Sequence, residues 1–109
     1  MRNDVITLVT KYKEGKDKKE NTVEIFATQK SLSRSEFYAS YGVGLKPQYI
    51  YDILPDEYEM AAVVVEGKKY IPTHVKVGEV EYTIIRTYKK NNTHMEMTVG
   101  WSDEDWYGL

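Results

Sequence analysis

Residues 94–101, His94-Met95-Glu96-Met97-Thr98-Val99-Gly100-Trp101, alternate in character at every step. Met95, Met97, Val99 and Trp101 fall on one parity, and His94, Glu96 and Thr98 fall on the other. A strand sends successive side chains to opposite faces, whereas a helix repeats at roughly 3.6 residues. This segment therefore buries its apolar set only as a strand. The signature recurs along the chain: Val80, Tyr82 and Ile84 alternate with Glu81 and Thr83. Val23, Ile25 and Ala27 share one face of residues 22–30, with Phe26 on the other, and Asp4 to Thr10 is a β-branched run. Gln48–Ile53, Glu59–Val65, Lys68–Ile71 and Val75–Val77 read as further strands. Pro72 cannot donate to a ladder, so the strand before it lies at an edge or ends there. Leu54-Pro55-Asp56-Glu57, Glu66-Gly67, Gly78-Glu79 and Asn91-Asn92 read as turns. Turn signals recur about every eleven residues, which predicts a mainly β fold, a small barrel or sandwich of about six to eight antiparallel strands.

One short helix is expected over about residues 33–42. Ser33 and Glu36 have the spacing of a capping box, Leu32 and Phe37 that of a hydrophobic staple, and Gly42 and Gly44 stop the helix. Residues 11–21 carry five lysines, three acids and Gly15 with no apolar period, and are expected to form a mobile, solvated loop. The expected organisation is one domain over residues 1–101, followed by an acidic tail, 102–109, in which Trp106 and Tyr107 are candidate partner contacts.

Composition narrows function mostly by exclusion. The 109 residues suit one domain with a modest core. Fifteen basic and seventeen acidic residues leave a net charge of −2, which argues against nucleic-acid binding by the whole surface. With no cysteine there is no disulfide, zinc thiolate or cysteine nucleophile. No apolar run reaches the roughly 20 residues of a membrane span, and the opening Met-Arg-Asn-Asp lacks a signal-peptide pattern. His74 and His94 are the only histidines and have no metal-ligand spacing, and no phosphate-binding glycine loop or serine nucleophile motif occurs. Carboxylates such as Asp52, Asp56, Glu57 and Glu59 read as solvated surface. The expectation is a protein that is not an enzyme and holds no cofactor and no metal. Ten tyrosines combine apolar bodies with polar tips, which suits pleated faces and protein interfaces alike.

Two segments carry a resemblance. Ser33-Arg34-Ser35-Glu36-Phe37-Tyr38-Ala39, leading to Gly44-Leu45-Lys46-Pro47-Gln48-Tyr49, resembles the helix-to-strand segment of phage head–tail joining proteins. These are the head closure, or stopper, proteins of long-tailed bacteriophages and prophages. Gly78-Glu79-Val80-Glu81-Tyr82-Thr83-Ile84-Ile85-Arg86-Thr87-Tyr88 is similar to the late hairpin of that family, and Arg2 to Leu8 to its opening strand. Residues 60–77 depart from the pattern, as a link that looks longer by one hairpin.

The resemblance implies a small barrel that assembles as a ring in the virion, at the head–tail interface, after synthesis in the bacterial cytoplasm. Portal and adaptor proteins would lie above the ring, tail proteins below, and packaged double-stranded DNA in its channel; no membrane is involved. It singles out Ser33, Glu36, Phe37, Tyr38, Gly44, Pro47, Tyr82, Arg86 and Tyr88 as structural motif residues. In a stopper, a loop with Lys11, Lys13, Lys16, Lys18 and Lys19 is the candidate to face the channel and meet DNA nonspecifically. Arg86, set in an apolar strand, is expected to have a carboxylate partner. The alternative is a small OB-like nucleic-acid-binding barrel, for which Tyr82, Arg86 and Tyr88, on one parity, come closest to a stacking platform.

Overall fold

The β-branched run near the start of the chain becomes β1 (Asp4–Glu14), which reverses at Gly15 and Lys16 into β2 (Asp17–Lys30). The computed structural model describes residues 3–31 and 45–102. After β3 (Leu45–Ile53) come helix α1 (Pro55–Met60) and a hairpin of β4 (Val63–Val65) and β5 (Lys68–Tyr70). The chain continues through β6 (His74–Val77), β7 (Val80–Lys89) and β8 (Met95–Ser102). Six strands close an antiparallel barrel in the order β1-β2-β3-β8-β7-β6. Closure comes from β6 pairing on β1, from Thr7 opposite Lys76 to Val9 opposite His74. The mainly β reading thus resolves to a closed barrel with one short helix among the described residues.

Alternation fills the interior. Ile6 and Leu8 from β1, Ile25 and Ala27 from β2, Tyr51 and Ile53 from β3, Val75 from β6 and Met97 and Val99 from β8 form one buried cluster. Burying each large apolar side chain contributes about 1.5–3 kcal/mol before entropy is counted. Phe26 stands on the outer face, as its parity requires. Thr98 shares the outward parity of β8 but is nonetheless buried, and Val80, read as core, is exposed at the start of β7.

Three readings need correction. First, residues 11–20 are paired strand and not a loop, with Lys11 opposite Glu20, Tyr12 opposite Lys19, Lys13 opposite Lys18 and Glu14 opposite Asp17. Gly15, at φ 65°, takes the left-handed conformation that lets the ribbon reverse in two residues. Tyr12 supplies the anchor that a charge count hides: its ring meets Tyr70 of β5 at 6.2 Å.

Second, residues 55–60 form α1, where a turn and the start of a strand were expected. Pro55 presets the first helical φ, and Asp56 and Glu57 complement the positive end of the helix. The same three residues favour turns, so local chemistry leaves the choice open. Burial decides it: Tyr58 and Ala61, three residues apart and so on one helical face, both sit in the core cluster. Thr10 Oγ1 donates to the Ala61 carbonyl at 2.6 Å, and Asn21 Nδ2 donates to the same oxygen at 3.2 Å. Thr10 and Asn21 are cross-strand partners, so the β1–β2 ribbon holds α1 over the mouth of the barrel. The strand expected over 59–65 contracts to β4.

Third, β7 carries a bulge. Ile84 pairs with Val99, yet Arg86 pairs with Thr98, so the register slips by one residue. A one-residue slip exchanges the two faces. Tyr82 and Ile84 therefore face the core, while Arg86 and Tyr88 face outward and are exposed. The predicted shared parity of Tyr82, Arg86 and Tyr88 does not survive the bulge. The expected helix at 33–42, with Ser33, Glu36, Phe37, Tyr38 and Gly44, lies outside the described residues, as does the tail beyond Ser102 with Trp106 and Tyr107.

Candidate functional site

Beyond the barrel, residues 11–14 and 17–20 pair only with each other and form a free-standing ribbon. The β4–β5 hairpin lies against it. That hairpin turns through Glu66 at φ 51° and Gly67 at φ 81°, two consecutive left-handed residues that bring β4 and β5 into register in the fewest residues. Between the two ribbons is an open groove of about 650 Å³. Lys11, Lys13, Lys18 and Lys19 line it from the β1–β2 side with Tyr12 and Glu20, and Lys68 and Tyr70 line it from β5. Lys16, at the turn, does not line the groove.

The charges of the groove are only partly matched. Lys19 pairs with Glu14 at 3.3 Å, and Lys11 lies 4.0 Å from Glu20 and 3.5 Å from Glu81. Lys13, Lys18 and Lys68 form no ion pair with a carboxylate of the described residues. Lys68 Nζ instead sits 5.0 Å from the centroid of the Tyr70 ring. Sequence reasoning found the lysines of the β1–β2 tip but not Lys68 and Tyr70. The Glu66-Gly67 turn signalled their hairpin, and only the tertiary fold shows which surface it meets.

A second polar surface covers the outside of β3, β8 and the β7–β8 turn. Asp52 and Glu96 are cross-strand neighbours, and three side chains engage their carboxylates. Lys30 and Lys90 each hold Glu96 at 3.0 Å, and His94 Nδ1 lies 2.8 Å from Asp52 Oδ2. Hydrogen bonds from Lys30 and then Lys90 hold the Glu96 carboxyl below the usual carboxylate range, and the bond to Glu96 raises the Lys30 ammonium. Asp52 is buried, where the sequence placed a solvated acid. These contacts tie β2, β3 and the β7–β8 turn together. Among the described residues no group of three or more His, Cys, Asp or Glu is arranged to hold a metal ion, and no helix is long and apolar enough to cross a membrane.

Of the motif residues, Tyr82 packs edge-on against Tyr49 at 5.7 Å and at 4.8 Å against Trp101, which makes it part of the barrel wall. Arg86 lies beside Tyr88 and Glu96 in a shallow depression of about 390 Å³. It forms no ion pair with a described carboxylate, contrary to expectation, because the bulge turns it to solvent and removes the need for one. Pro47 stands opposite Gly100 at the second irregularity of the barrel, where β3 shifts register before Tyr49. A residue without an amide proton is at home beside a bulge. No family model, curated protein or solved structure matches the chain.

Proposed function

We propose that the chain is a head–tail connector of the stopper type, a non-catalytic barrel that forms a ring beneath portal and adaptor proteins, retains packaged DNA and docks the tail. The observation that carries the reading is a closed six-strand barrel from which one charged ribbon projects. It adds to the ordered resemblance of residues 2–8, 33–49 and 78–88 to that family. The closed wall of the barrel leaves no edge for strand addition, so contact between neighbouring barrel walls falls to outward side chains. Val5 and Phe26, a cross-strand pair half or more exposed on the outer face of β1 and β2, supply apolar area of that kind. The β4–β5 hairpin falls within residues 60–77, the stretch in which the resemblance expects a longer link. The OB-like alternative loses its platform, because Tyr82 and Arg86 lie on opposite faces of β7.

Deleting the gene from its phage or prophage tests the proposal. Filled heads should accumulate without tails and lose their DNA, and supplying the protein in trans should restore tailed particles. Tailed, infectious particles assembled without it would refute the connector role.

A further inference from the structure

We propose that the groove between the tip of β1–β2 and the β4–β5 hairpin binds the phosphate backbone of a nucleic acid without reading its bases. Five lysines line the groove; carboxylates engage Lys11 and Lys19, which leaves Lys13, Lys18 and Lys68 without a carboxylate partner among the described residues in a chain whose net charge is −2. Lys13 and Lys18 stand directly opposite each other across the ribbon, an arrangement that costs stability when nothing intervenes. The nearby acids do not relieve it. Glu14 is engaged by Lys19, Glu20 lies nearest Lys11, and Asp17 forms no ion pair with Lys13 or Lys18. Lys13, Lys18 and Lys68 all line the groove without a carboxylate partner among the described residues, a surplus of positive charge that an anion would compensate.

The shape argues for a chain of anions. The groove is open and runs between two ribbons. Along β1, Lys11 and Lys13 share a face two residues apart, a step of about 7 Å. A single step of that order is compatible with neighbouring phosphates along a strand. The tyrosines form a wall and offer no base-stacking platform: Tyr12 and Tyr70 meet at a 55° tilt, and Lys68 sits over the Tyr70 ring. Binding is therefore electrostatic, indifferent to sequence and open to duplex and single strand alike. The inference deepens the connector reading, under which the lysines of the β1–β2 tip meet packaged DNA, but its test concerns the isolated chain.

Fluorescence anisotropy of the full 109-residue chain with a short labelled DNA duplex tests it. Each neutralised phosphate contributes a slope of about −0.9 to the plot of log affinity against log salt. Three lysines without carboxylate partners predict a slope of roughly −2.7. Lys68→Gln should reduce its magnitude by about 0.9, and Lys13→Gln with Lys18→Gln by about 1.8. Lys89→Gln, on β7 and outside the groove, should leave it unchanged. Single-stranded DNA should bind with a shallower slope, and a polyglutamate peptide much more weakly than either. The lysines are exposed, and removing the Lys13–Lys18 opposition relieves a repulsion, so thermal melts of the variants should fall no lower than that of the parent and exclude misfolding as the cause. No salt-dependent binding by the parent, an unchanged slope in Lys68→Gln, or polyglutamate binding as tight as DNA would each overturn the proposal. None of these results bears on tail joining, so the two proposals fail separately.

Discussion

Replacing Thr10 by Val keeps the shape of a fully buried side chain and deletes its hydroxyl. That hydroxyl is the shorter of two donors to the Ala61 carbonyl, at 2.6 Å against 3.2 Å for Asn21. The carbonyl keeps one partner, so the loss is that of one net hydrogen bond, about 1 kcal/mol. Unfolding entropy of about 2.1 cal/mol/K per residue turns this into a fall of roughly 4 °C in Tm for a chain of this length. Asn21→Ala should cost a similar amount or less. The double variant orphans a buried carbonyl, a further penalty of about 1–3 kcal/mol, so it should be worse than the sum of the singles. Thermal unfolding followed by circular dichroism reads the cycle. Hydrogen exchange reads it locally, because the Ala61 amide, bonded to the Glu57 carbonyl at 3.2 Å, should exchange faster as α1 loosens. An unchanged Tm for Thr10→Val, or strict additivity in the double variant, would show that water serves this carbonyl and that α1 is not fastened to the barrel as described.

Two further outcomes concern the turn and the response to pH. Glu66, at φ 51°, occupies a conformation that glycine and asparagine adopt more readily, so Glu66→Asn should stabilise the β4–β5 hairpin by about 0.5–1 kcal/mol, read as a higher Tm. Burial pushes the Tyr51 phenol up to about 12, and Tyr58 and Tyr82 shift in the same direction for the same reason. Stability is then unaffected by these groups below about pH 10, where both states keep the proton. It falls by about 1.4 kcal/mol per pH unit for Tyr51 as the unfolded chain alone ionises. Urea midpoints should decline from about pH 10 toward 12, less steeply in Tyr51→Phe, and a flat profile would contradict the burial. At the acid end, the lowered Glu96 contributes stability that is present above the ordinary carboxylate range and lost as pH falls through its depressed value. Glu96→Gln should remove that part of the acid limb.

Much of the barrel was legible because strand alternation is local. Met95, Met97 and Val99 face inward as their parity demands, and Glu66-Gly67 and Gly78-Glu79 turn where their backbone chemistry places them. The lysines of residues 11–19 were equally visible as a concentration of charge. Their structure was not, since a polar ribbon owes its order to pairing across a turn and to one tyrosine meeting another 58 residues away in sequence. Pro55-Asp56-Glu57 suits a turn and a helix start equally, and only the core beneath Tyr58 and Ala61 selects the helix. The bulge that separates Tyr82 from Arg86 has no local signature either, because register is a property of two strands together. Side-chain period and turn chemistry are written within a few neighbouring residues, so the sequence by itself determined the apolar strands of the barrel wall and where charge gathers. Which strands close the barrel, which face Arg86 takes, and that Lys68 joins the lysines of β1 and β2 depend on contacts between distant segments, and those the tertiary structure alone decided.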